Sequence, residues 1–225
     1  MARSPRLVED DGIYHVLNRR AGRATLFEHE QDYGAFEKAL DEAAAAVPMR
    51  VLAYCLMPNH WHLLLWPRKG RAMSAFMQRL TLTHMRRWHA RHGTAGTGPV
   101  YQGRFKSFPV QDDTHLLTVA RYVERNALRA KLVHKAEQWR WCSLWQRQQE
   151  QLPPWLVCAR DWPVDLPSNW SSFVNRPQTE AELEAVRLSV KRGVPLGSEA
   201  WQRRTATRLK LQSTLRDPWR PKRQR

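Results

Sequence analysis

Two imidazoles, His60 and His62, flank a single residue in the run Met57-Pro58-Asn59-His60-Trp61-His62-Leu63-Leu64-Leu65-Trp66. The apolar run from Arg50 to Leu56, the Pro58-Asn59 pair and the return from His60 to Trp66 predict a β-hairpin. Side chains alternate on a strand, so His60 and His62 share one face while Trp61 and Leu63 take the other. Two imidazoles on a stiff strand can hold one divalent cation and leave its other positions to substrate oxygens. A His-x-His taken alone is more often a pair of structural histidines. A second stretch, His115 to Ala130, changes that balance. Its apolar residues Leu116, Val119, Val123, Ala127 and Ala130 recur at helical spacing. Tyr122 and Asn126 lie four apart and share a face beside that stripe, and Arg121, Arg125 and Arg129 form a basic row next to it. A phenol, a carboxamide and a line of guanidiniums on one side of a helix suit a phosphodiester lying along it.

Together the two stretches resemble the single-tyrosine HUH transposases, most closely the REP-associated tyrosine transposases. The resemblance extends through Met57-Pro58-Asn59-His60, Tyr101-Gln102-Gly103-Arg104-Phe105-Lys106-Ser107, Lys191-Arg192-Gly193-Val194-Pro195-Leu196-Gly197-Ser198 and Trp201. It implies that Tyr122 is the nucleophile and that His60, His62 and Asn126 hold a divalent metal. Two imidazoles with an amide oxygen and water suit Mg²⁺ or Mn²⁺. A free phenol has a pKa of about 10 and is a poor nucleophile at neutral pH, so such help is needed. The resemblance further implies metal-dependent nicking and rejoining of single-stranded DNA at REP hairpins through a 5′-phosphotyrosine. The alternative is a non-catalytic, regulatory hairpin-DNA-binding protein. HUH replication initiators and relaxases usually carry a third metal-binding histidine and often paired tyrosines, which this chain lacks.

Composition points the same way. Lys and Arg number 37 against 21 Asp and Glu, a net charge of +16, and the pI is near 10.7, which predicts a polyanionic partner. No stretch approaches the roughly 20 apolar residues of a membrane span. No apolar segment follows Met1-Ala2-Arg3-Ser4-Pro5-Arg6, so a cytoplasmic, nucleoid-associated protein is expected. Cys55, Cys142 and Cys158 are scattered and fit neither a disulfide framework nor a zinc site. Some of the 11 Trp are core, and several are expected to stack on unpaired bases.

The elements that position these residues follow in order. Ile13 to Asn18 reads as a strand, Gln31 to Val47 as a helix stopped by Pro48, then the hairpin, then a helix from Ala72 to His92. Val100 to Val110 reads as one long strand or a strand pair, with Arg104 and Lys106 pointing to one face, and the Tyr122 helix follows. The order is that of an α+β, ferredoxin-like βαββαβ fold, which the resemblance also implies. An antiparallel sheet with helices on one side leaves its other side or its edge free for DNA. Three regions are expected: a catalytic domain over 1–131, a Trp- and Pro-rich connecting segment over 132–178, and a basic helical extension over 179–225.

Thr179 and Glu182 form a capping box that opens a helix to about Lys191, and Gly197-Ser198 caps another to about Leu211. The pair reads either as a helix-turn-helix-like DNA reader or as helices packed on the core. From Arg187 onward twelve basic residues face only Glu199 and Asp217. Arg104, Lys106, Arg121, Arg125, Lys191 and Arg192 are the candidate phosphate contacts. Arg220, Lys222 and Arg223 form an expected arm on the DNA backbone or in a minor groove. Family members usually carry Gly where Trp219 stands, which alters that arm's local geometry. His15, His84 and His115 read as structural. A monomer is expected, with a dimer as the alternative.

Overall fold

The computed structural model describes residues 6–216. Four strands, β1 (Ile13–Arg19), β2 (Arg50–Met57), β3 (His60–Trp66) and β4 (Lys106–Val110), make one antiparallel sheet in the order β2-β3-β1-β4. Helices α1 (Glu30–Ala46) and α2 (Gly70–His92) precede β2 and β4, and α3 (Thr114–Glu124) follows β4. This is the ferredoxin-like α+β arrangement expected from the sequence. Only Lys106–Val110 of the expected long strand is regular; Tyr101 contributes an isolated bridge to Arg20, and Gln102–Arg104 bends between them.

The central strands are apolar almost throughout because both sides of the sheet are buried. Alternation on β3 divides the core in two. Trp61, Leu63 and Leu65 pack with Phe36 and Leu40 of α1 and with Phe76 and Leu80 of α2. Leu64 packs with Cys55, Phe108, Leu116, Val119 and Val123 on the opposite side, under α3. His60 and His62 project from that second face. Asp113 caps α3 by accepting the His115 backbone N–H at 2.8 Å.

The second face and the sheet edges are therefore not open, contrary to expectation. The Trp-rich segment lies along β2: Val51 and Val157 exchange backbone bonds with Trp155 and Val51, and Leu56 N–H donates to the Trp141 carbonyl. On the other edge, Leu196 bridges to Val110 and bonds to Pro109 and Gln111. An apolar edge strand is a template for unwanted pairing, and both edges are occupied by the chain itself. Glu124, fully buried at the end of α3, ties the Trp-rich segment down by accepting from Ser143 Oγ, Trp170 Nε1 and Arg147. Of the ten described tryptophans none is exposed, so their main role is packing rather than a free stacking surface.

Beyond α3 come α4 (Asn126–Arg129), α5 (Ser143–Gln146), α6 (Trp170–Asn175), α7 (Glu180–Arg192), α8 (Glu199–Arg208) and α9 (Gln212–Leu215). Thr179 and Glu182 form the expected capping box, and Gly193 at φ 76° ends α7. Between α7 and α8 the chain is extended and pinned to β4, while α7 rests on α3 and β4. The arrangement is packing onto the core rather than a compact helix-turn-helix. No helix among the described residues is long and apolar enough to cross a membrane.

His84 of α2 sits in the first core, with Nδ1 2.6 Å from the Tyr101 hydroxyl. Burial pushes its pKa down to about 3. The unfolded chain takes up that proton near pH 6.5 and the folded chain does not, so this contribution is complete above pH 6.5 and is lost on going down toward pH 3. Urea midpoints measured across that window should fall with pH. In His84→Phe the slope should be shallower by up to about 1.4 kcal/mol per pH unit; an unchanged slope would show that His84 is not held neutral.

Candidate active site

β3 presents His60 and His62 on one face with ring centroids 4.9 Å apart. Their places are set by register, His62 between Leu17 and Cys55 and His60 between Arg19 and Met57. Each ring has its Nδ1 engaged. His60 Nδ1 is 2.6 Å from Asn59 Oδ1, and His62 Nδ1 is 2.9 Å from His15 Nε2. Neither Nε2 has a hydrogen-bond partner among the described residues. Burial first, then the charges of Arg19 and Arg129, pushes the His60 pKa down to about 3. Burial, with His60 next, holds His62 well below its ordinary value. Both rings are therefore neutral at ordinary pH, the form that offers a lone pair.

Tyr122 comes to the same place from α3. Its ring stands edge-on to His62 at 5.9 Å and to His15 at 6.2 Å between centroids. The side chain is 7% exposed, and its hydroxyl has no hydrogen-bond partner among the described residues. Helical geometry breaks briefly at Arg125, but backbone bonds from Arg125, Arg129 and Ala130 to residues four earlier carry the helix across. Asn126 and Arg129 therefore stay in line with Tyr122. The Arg129 guanidinium lies 4.1 Å from the Tyr122 ring centroid and donates to Asn126 Oδ1 at 2.8 Å. Asn126 Nδ2 is buried without a partner, and Oδ1 keeps a second lone pair.

A phenol, two neutral imidazoles, a carboxamide and a guanidinium thus converge from one strand and one helix of the same chain. Among the described residues no group of three or more His, Cys, Asp and Glu could hold a metal. A cation here would rest on the two free Nε2 atoms, the Asn126 oxygen and water.

The family profile of IS200-like transposases matches residues 9–126, more than half of the chain and the whole stretch from before β1 to Asn126. The chain belongs to the IS200-like transposase family. Among solved structures it is similar to a REP-associated tyrosine transposase bound to a REP hairpin, with TM-score 0.56 and 14% identity over 80% of this chain and 99% of that one. At that identity the likeness is one of fold. A second similarity, to a protein described as a transposase of Deinococcus radiodurans R1, has TM-score 0.40 and 20% identity over 56% of this chain and 97% of that one. No curated protein matches.

The transposase scatters the basic residues expected to hold DNA. Arg121 is withdrawn from that role. It is 6% exposed, donates to the Arg176 and Pro177 carbonyls at 2.7 Å, lies over Phe173 and faces Glu182. The reason is a later segment of the chain: Arg176 and Pro177 supply carbonyls that draw the guanidinium inward. Arg125 lines a surface cavity with His134 and Lys135, and burial with the nearby Arg121 and Arg129 charges lowers its pKa. Lys106 is exposed at the start of β4, opposite Leu17. Arg104 is exposed and lines a cavity with Arg6, Gln78 and Phe105. Lys191 and Arg192 end α7, exposed and half-buried. Arg220, Lys222 and Arg223 lie outside the described residues.

Arg19 and His15 were not expected at the site, and Arg129 was expected only as one of the basic row beside Tyr122. Arg129 had a signal, since Tyr122, Asn126 and Arg129 follow the i, i+4, i+7 spacing of one helix face. Arg19 pairs in register with His60 and needs the strand order to be found. His15, read as structural, meets the edge of His62 for the same reason.

Proposed function

We propose that this transposase cleaves and rejoins single-stranded DNA at REP-type hairpins through a 5′-phosphotyrosine on Tyr122, with a divalent cation, Mg²⁺ or Mn²⁺, as cofactor. The convergence of the Tyr122, His62 and His60 rings, all from one chain, carries this reading. The family match supports the reaction class, and the hairpin bound by the similar solved structure supports the substrate class.

The Tyr122 oxygen attacks phosphorus and loses its proton. The bond from phosphorus to the 3′ oxygen breaks, and that oxygen leaves as a 3′-hydroxyl. Attack by another 3′-hydroxyl on the phosphotyrosine restores a phosphodiester and frees the phenol, so no external energy source is required. His60, His62 and Asn126 would hold the cation, which when bound supplies charge neutralisation at a scissile-phosphate oxygen. Arg129 lies over the Tyr122 ring and binds the Asn126 oxygen, which places a positive charge on the face of the phenol. Arg19 and Lys106, at the same end of the sheet, suit the flanking phosphates. Because one chain supplies nucleophile and imidazoles together, a monomer suffices for a single cleavage.

The test is incubation of the full chain with labelled single-stranded hairpin oligonucleotides and Mn²⁺ or Mg²⁺. A denaturant-resistant protein–DNA adduct and a free 3′-hydroxyl fragment are expected, and neither should form with EDTA or on plain duplex. Tight hairpin binding with no adduct under any metal would favour the regulatory alternative.

A further inference from the structure

We propose that His15 is a positioning residue: it accepts a hydrogen bond from His62 and thereby keeps the His62 Nε2 lone pair free for the cation. The inference rests on the metal-assisted reading above. His15 lies on β1, between Leu64 of β3 and Phe108 of β4, and is fully buried. Its ring lies edge to edge with His62 in nearly the same plane, with centroids 5.0 Å apart and planes 6° from parallel. Phe108 at 4.9 Å and Tyr122 at 6.2 Å stand edge-on to it and prevent it from turning.

The contact between His15 Nε2 and His62 Nδ1, 2.9 Å, holds one hydrogen. There are two ways to place it. If His15 donates, His62 accepts at Nδ1 and must carry its own hydrogen at Nε2. That atom then has no lone pair for a cation. If His62 donates, its Nε2 is bare and His15 carries its hydrogen at Nδ1. His15 Nδ1 is buried with no partner among the described residues, so the protein leaves it free to take either form and its tautomer is set by the contact with His62. The direction of this one hydrogen bond therefore decides whether His62 is a ligand. Metal-binding histidines commonly donate their other N–H to a carboxylate, carbonyl or water, and loss of that acceptor typically weakens metal affinity roughly 10–100-fold. Here the acceptor is a second neutral imidazole. The shared plane adds a second constraint, since an in-plane hydrogen bond fixes the plane in which the His62 lone pair points.

Packing alone would also bury a histidine here, and two variants separate the roles. His15→Phe keeps an aromatic ring in the slot and removes the acceptor. His15→Gln places a carbonyl oxygen at a similar reach. Mn²⁺ binding is followed by electron paramagnetic resonance and calorimetry, without DNA. The dissociation constant should rise roughly 10–100-fold in His15→Phe, and His15→Gln should recover most of that loss. Hairpin binding in EDTA should be unchanged in both. Equal Mn²⁺ affinity in wild type and His15→Phe overturns the inference while leaving the metal reading standing. Absence of Mn²⁺ binding by the wild type overturns the metal reading itself. If His15→Phe does not fold, ¹⁵N shifts of the Mg²⁺-loaded wild type decide: hydrogens on Nδ1 of both His62 and His15 support the assignment, and a hydrogen on His15 Nε2 refutes it.

Discussion

Tyr122→Phe should abolish the covalent adduct, a loss of at least roughly a thousandfold in cleavage, and leave hairpin binding within a few-fold of wild type. The substitution removes one oxygen that has no hydrogen-bond partner among the described residues, so no buried donor or acceptor is stranded. The ring keeps its edge contacts to His15 and His62 and its place under Arg129. Stability should change by less than about 1 kcal/mol. The other tyrosines cannot stand in. Tyr14 accepts from the Glu9 N–H, Tyr54 donates to Glu37, and Tyr101 is held between Trp61 and His84. Tyr33 is stacked between Phe27 and Trp141. Burial pushes the Tyr14 and Tyr33 pKa values up to about 12 and raises those of Tyr54 and Tyr101 as well. A denaturing gel of Tyr122→Phe with labelled hairpin DNA and Mn²⁺ is the measurement. An adduct of wild-type intensity would show that the nucleophile is elsewhere.

Local pattern carried most of the catalytic half. The alternation around Trp61 predicts which face takes His60 and His62, and the two-residue turn at Pro58-Asn59 is legible before any fold is known. Asp113, Thr179 and Gly193 mark helix ends by rules that act over a few residues. What could not be read depends on contacts between residues far apart in the chain. Leu156 closes the edge at Val51 and Leu196 the edge at Val110, and neither segment alternates in a way that announces a strand. The same limit hid His15, which enters the site only because β1 lies beside β3. Arg121 failed for a different reason. A guanidinium on a helix reads as solvated until a later segment, here Arg176-Pro177, supplies carbonyls that draw it inward.

Replacing either imidazole on β3 should remove divalent-dependent cleavage, with a loss of roughly 10²–10⁴-fold, and the two replacements should differ in everything else. His60 is half-buried at the end of the strand and bonded only to its neighbour Asn59, so His60→Ala should leave the fold nearly untouched. High Mn²⁺ should partly restore its activity, since the two remaining protein ligands, His62 and Asn126, still bind by mass action. His62 is 2% exposed and bonded in-plane to His15. His62→Ala opens a cavity and strands His15 Nε2, at a cost of about 2–4 kcal/mol in urea-measured stability. The double variant should cleave no more slowly than either single one, because ligands of one ion act as a unit and their effects do not add. Multiplicative losses would mean that the two rings serve separate purposes, and near-wild-type cleavage by either single variant, or by the wild type in EDTA, would remove the cation from the reaction. The pairing of a half-buried ring at the strand end with an anchored, fully packed one also gives the site its order of assembly: the half built into the core is in place before metal or DNA arrives, and the half at the strand end completes it.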